Sequence, residues 1–114
     1  MKIKSHSNVN NLPDDDSCHP NLTPKCTYSV IGIDFEFYRI VDDKNEPTLY
    51  PKTLFDIVDL KYPETWVKSD YGDGEWYIDP PELSREYFYE DYFDGVAEAV
   101  SVYNCYLDKN GLRR

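Results

Sequence analysis

The chain is short of the residues that most catalytic and metal chemistry requires. Histidine occurs only as His6 and His19, and cysteine only as Cys18, Cys26 and Cys105. Both histidines fall in a polar N-terminal stretch, whereas a catalytic histidine needs a rigid supporting shell. A nucleophilic pair such as Cys18 with His19 therefore has nothing to hold it. Cys18, His19 and Cys26 lack the spacing of a zinc site and a fourth soft ligand, so no metal site is expected. No glycine-rich loop follows a strand pattern, which leaves nucleotide binding unsupported. The expectation is a protein with no cofactor that is not an enzyme. An odd number of cysteines excludes a complete disulfide framework. In a reducing compartment all three read as free thiols, with Cys105 a small buried apolar residue in a helical pattern.

Positive charge is also scarce. Twelve Lys and Arg stand against 22 Asp and Glu, for a net charge of −10. Binding DNA or RNA requires phosphates to be neutralised by Lys and Arg, and no basic stripe exists, so direct nucleic-acid binding is not expected. An anionic membrane surface is disfavoured for the same reason. No apolar run approaches the roughly 18 residues needed to span a bilayer, and residues 1–11 lack the apolar centre of a secretory signal. A soluble cytoplasmic protein is expected. The 114 residues fit one domain. With a single Met, its core must draw on Tyr, Phe, Trp, Ile and Val.

What the chain has in quantity is acid mixed with aromatic rings. Between Asp70 and Glu98 lie ten acidic side chains and one basic one, Arg85, a local charge of −9. Tyr71, Trp76, Tyr77, Tyr87, Phe88, Tyr89, Tyr92 and Phe93 are threaded through the same stretch. A disordered acidic tail lacks such rings, and an ordinary solvated face mixes Lys with Glu. Carboxylates set among rigid rings suit a surface that meets a basic protein: the rings supply contact area and the charges supply steering and specificity. The plainer alternative is a solvated face whose aromatics, Trp76, Phe88, Phe93 and some tyrosines, form core. Paired carboxylates of the glycosidase kind can always be drawn in so acidic a chain and carry no specificity.

The expected organisation is a flexible N-terminal arm over residues 1–25, rich in Pro, Asn and Ser, followed by one α+β domain over residues 26–114. Strands are expected at 28–33 and 35–41, with Gly32 permitting a bend or bulge. Residues 48–50 should pair back on 38–41, with Pro47 at the strand start or an edge. Residues 51–59 suit a short helix beginning near Lys52, or a buried strand. Aromatic and β-branched runs on either side of Gly72-Asp73-Gly74 mark a hairpin over 66–79, ended by Pro80-Pro81. Ser84 can cap a first helical segment and Asp91 or Asp94 a second. Val96, Ala99, Val100, Tyr103 and Leu107 then form one apolar stripe, and Lys109-Asn110-Gly111 forms a stop. The sum is a small antiparallel sheet of hairpins with a C-terminal α-helix packed on one face.

Two stretches resemble a known class of protein: Phe37-Tyr38-Arg39-Ile40-Val41 through Glu46-Pro47-Thr48-Leu49-Tyr50-Pro51, and Tyr77-Ile78-Asp79-Pro80-Pro81-Glu82 through Phe88-Tyr89-Glu90-Asp91-Tyr92-Phe93-Asp94-Gly95-Val96. The chain resembles the small acidic immunity proteins encoded beside bacterial polymorphic toxins of contact-dependent inhibition, Rhs and type VI systems. The resemblance implies stoichiometric binding of a cognate toxin domain with a basic surface. The residues placed at that contact are Asp70, Tyr71, Asp73, Glu75, Tyr77 and Asp79 on the hairpin, and Glu82, Glu86, Tyr87, Tyr89, Glu90, Asp91 and Asp94 beyond it. The alternatives are an acidic nucleic-acid mimic from a phage or mobile element, and a small enzyme or metal-binding protein. An exposed sheet edge could also pair two copies of the chain.

Overall fold

The computed structural model describes residues 1–7 and 21–114. Seven strands, β1 (Lys2–Ser5), β2 (Thr27–Asp34), β3 (Phe37–Val41), β4 (Pro47–Pro51), β5 (Phe55–Asp59), β6 (Val67–Gly72) and β7 (Glu75–Asp79), precede a short helix α1 (Phe88–Phe93) and a longer one, α2 (Ala97–Asn110). All pairings are antiparallel, so the fold is α+β with a C-terminal helix on one sheet face. The path β4-β3-β2-β1-β5 branches at β2. Its first half pairs with β1 and its last two residues pair with β7, through Ile33↔Ile78 and Asp34↔Tyr77. The β6–β7 hairpin is thereby hung on the C-terminal end of β2.

The expected strands and hairpins are present. Tyr38↔Tyr50 and Ile40↔Thr48 pair β3 with β4, and β4 opens at Pro47 on the sheet edge, where a missing N–H costs no ladder bond. Between Val30 and Gly32 the β2–β3 register shifts, leaving Ile31 as the extra residue of a bulge. Both faces of β2 are covered. Tyr28, Val30 and Ile33 enter one cluster, with Tyr38, Ile40, Tyr50 and Phe55. Ile31 enters the other, with Val41, Leu83, Phe88, Ala99, Tyr103 and Leu107. Phe55 is ringed edge-on by Tyr28, Tyr38 and Tyr50 at 6.5, 6.3 and 6.4 Å, a preferred aromatic geometry.

Several expectations are corrected. Lys2–Ser5 is no flexible arm but an interior strand between β2 and β5, with Ile3 and Ser5 buried. Ser5 Oγ donates to the Thr23 carbonyl at 2.6 Å and accepts from Cys26 N at 3.1 Å, and Leu22 is buried. A four-residue strand with one apolar side chain has no readable period, and its partners lie more than twenty residues away in the chain. Residues 8–20, with Cys18 and His19, lie outside the described residues. The helix at 51–59 reduces to one 3₁₀ turn, Lys52–Leu54, before β5. The strand is not buried either, since Ile57 and Val58 are exposed.

Ser84 ends the 3₁₀ turn Pro81–Leu83 instead of starting a helix. Tyr87 precedes α1 with a left-handed φ of 63°, Asp94 ends α1, and α2 begins after Val96 with no side-chain cap. On α2, Ala99, Tyr103 and Leu107 are buried, joined by Tyr106, while Val96 is exposed. Gly111 closes the helix at a φ of 65°, as a C-terminal glycine does. Cys105 is exposed, not buried. Phe93 is 54% exposed and Trp76 only partly buried, while Phe88 is core.

Candidate functional site

An open groove of about 610 Å³ lies between the β6–β7 hairpin and the segment from Leu83 to Glu90, with β2 and β3 beneath. Strand alternation selects which hairpin residues reach it. Glu75, Tyr77 and Asp79 line the groove, while Trp76 and Ile78 turn to the opposite core. Ser69 and Tyr71 join them from β6, and the Tyr71 and Tyr77 rings meet edge-on at 5.4 Å. From the other wall come Glu86, Tyr87, Tyr89 and Glu90.

Eight of the thirteen residues placed at the contact surface from sequence thus converge on one groove: Tyr71, Glu75, Tyr77, Asp79, Glu86, Tyr87, Tyr89 and Glu90. The other five do not line it. Asp70 accepts from Gly72 N at 2.9 Å in the hairpin turn, and Asp73 occupies that turn at a φ of 54°. Glu82 borders a separate shallow hollow beside Cys105 and Lys109. Asp91 pairs with Arg85 at 3.0 Å, and Asp94 ends α1.

The floor contains residues that sequence reasoning did not single out for the site: Gly32, Asp34 and Arg39. Arg39 lies on β3 opposite Gly32. Its Nη1 donates to the Pro47 carbonyl at 2.7 Å, and its guanidinium carbon stands 3.6 Å from the centroid of the Tyr89 ring. A cation interrupting Phe37-Tyr38-Arg39-Ile40-Val41 was the available signal. Asp34 Oδ1 accepts from Glu36 N at 2.7 Å and Phe37 N at 2.5 Å, fixing the β2–β3 turn. The Asp79 carboxylate occupies the space above Gly32, where a Cβ would come within 2.7 Å of Asp79 Oδ1. A larger residue at position 32 would have to displace that carboxylate.

Burial governs the electrostatics of this floor. It pushes the Asp79 carboxyl up to about 6; Arg39 opposes the rise and Asp34 reinforces it. Burial also lowers Arg39, against the attraction of Tyr89, Asp79, Glu90 and Asp34. It raises the Tyr89 phenol as well, with Arg39 opposing. Tyr77 is raised by desolvation first and by Glu75 next. Across the whole lining, five carboxylates (Asp34, Glu75, Asp79, Glu86 and Glu90) face two guanidinium groups (Arg39 and Arg85). The groove is therefore net acidic, with one cation at its base.

No protein-family model matches this chain, and no curated protein or solved structure matches it. Among the described residues there is no group of three or more His, Cys, Asp or Glu arranged to hold a metal ion. No helix among them is long and apolar enough to cross a membrane.

Proposed function

We propose that this chain is an immunity protein that binds a basic face of a cognate bacterial toxin domain in the cytoplasm and neutralises it by stoichiometric occlusion. The observation that carries the reading is the convergence of carboxylates and tyrosines, from a hairpin and from a loop leading into α1, on one acidic groove. Toxins that act on nucleic acid need a basic cleft for the phosphates. An acidic groove with aromatic walls is complementary to such a cleft and accelerates encounter by electrostatic steering. Tyr71 and Tyr87, both exposed beside the groove, offer rigid rings of the kind that anchor interfaces. The reading assigns the chain no catalytic step and no cofactor. It is tested by co-expressing the chain with a candidate toxin domain from a neighbouring gene of its host. Survival of the host together with recovery of a one-to-one complex is expected. Growth arrest in spite of ample chain would refute the reading.

A further inference from the structure

Two hydrogen-bond donors at the base of the groove are left with unused capacity. Arg39 spends one N–H on the Pro47 carbonyl, and among the described residues none of its nitrogens comes within 4.0 Å of a carboxylate oxygen. A largely buried guanidinium without a direct counter-ion is unusual, because buried charges are paired. Beneath it, Tyr89 Oη is enclosed and, among the described residues, has no hydrogen-bond partner. Buried hydroxyls nearly always have one. Both groups call for an acceptor oxygen. The walls call for the opposite: Glu75, Glu86 and Glu90 are exposed carboxylates set beside Tyr77 and Tyr87, which suits a cation held against aromatic faces.

A free carboxylate would satisfy the base but be repelled by the walls. A simple cation would satisfy the walls but be repelled by Arg39. A basic residue within a peptide carries both an acceptor carbonyl and a cationic head group. We propose that the groove is a recess for one arginine or lysine of the protein partner, its main-chain carbonyl accepting from Arg39 and its head group lying among Glu75, Glu86 and Glu90. This inference rests on the groove being the partner-binding surface, and it names the chemistry that the surface selects.

The test needs no toxin. Three small probes, N-acetylarginine methylamide, butylguanidinium and N-acetylglutamate methylamide, are titrated into the full chain and followed by amide chemical shifts. The first should bind with shifts at Gly32, Asp79 and Tyr89, and about tenfold more tightly than butylguanidinium, which lacks the carbonyl; that is the ratio expected of one added hydrogen bond of ordinary strength. The glutamate probe should not bind. Arg39→Lys, which loses the guanidinium fork, should weaken the preference for the carbonyl-bearing probe while the chain stays folded. Glu86→Gln with Glu90→Gln should weaken both cationic probes severalfold.

Preference for the glutamate probe, or an Arg39→Lys protein that discriminates between the two cations as strongly as the parent, would overturn the proposal. Host protection by the chain without any probe binding would likewise remove the recess while leaving the inhibitor reading intact. Probe binding without host protection would support the recess and refute the inhibitor reading.

Discussion

Arg39 and Tyr89 stand face to face, the guanidinium carbon 3.6 Å from the ring centroid, and the contact ties β3 to α1 across the base of the groove. Because Arg39 also donates to Pro47 on β4, one side chain holds the groove wall, the sheet and the edge strand together. Arg39→Lys should therefore not be conservative. A lysine keeps the charge but loses the planar stack and the fork geometry. Loss of about 1–3 kcal/mol in urea unfolding is expected for the lysine variant, from one cation–π contact and one hydrogen bond. A lysine variant as stable as the parent would show that the stack holds nothing.

The β3–β4 turn depends on Asp42, which is fully buried. Its Oδ1 accepts from Lys44 N at 2.9 Å and Glu46 N at 3.1 Å, and its Oδ2 from Thr48 Oγ1 at 3.0 Å and Tyr50 Oη at 3.2 Å. Asp42→Ala removes the acceptor of all four bonds and should cost about 3–5 kcal/mol. Asp42→Asn keeps one acceptor oxygen and should cost about 1–2 kcal/mol. Denaturant midpoints of the two variants should fall in that order.

Asp79 sets a pH dependence. Its carboxyl is raised from an ordinary 3.8 to about 6 in the folded protein. Between those values the folded chain binds the proton and the unfolded chain has released it. Asp79 therefore contributes stability that is fully present below the lower value and lost as pH rises through the upper one. Asp79→Asn should be about 1–3 kcal/mol more stable than the parent near pH 8, with little difference near pH 4. Measuring the parent-minus-variant difference at both ends cancels the titration of the other acids. A difference that does not change with pH would mean that Asp79 titrates normally.

The sequence made local features legible and left assembled ones hidden. Turn chemistry around Gly72-Asp73-Gly74 and the β-branched run of β2 located the hairpin and central strand, because those signals act over a few residues. Acid and aromatic content placed Glu75, Tyr77 and Asp79 at the contact surface, and only the strand geometry shows that all three share the groove face. The strand Lys2–Ser5 stayed hidden because its order comes from β2 and β5, not from its own four residues. The role of Arg39 is not legible locally because it depends on Tyr89, fifty positions away. The pairing of Asp91 with Arg85 is hidden until the bend before α1 is known. The exposure of Phe93 is hidden because aromatic content alone does not say which face of a six-residue helix is covered.

The most direct test of the central claim is the affinity of the chain for the proposed cognate toxin domain, compared between two charge reversals. Glu86→Lys with Glu90→Lys alters the groove wall, while Asp70→Lys with Asp73→Lys alters acids of equal number outside it. Both variants should remain folded, since all four positions are exposed. The groove reversal should weaken binding by about a hundredfold or more, the range seen when close charge pairs at an interface are lost. The turn reversal should change mainly the association rate, and only at ionic strengths where the Debye length exceeds about 8 Å. Equal losses from the two variants, or none from the groove pair, would contradict the assignment of the groove as the surface that meets the partner.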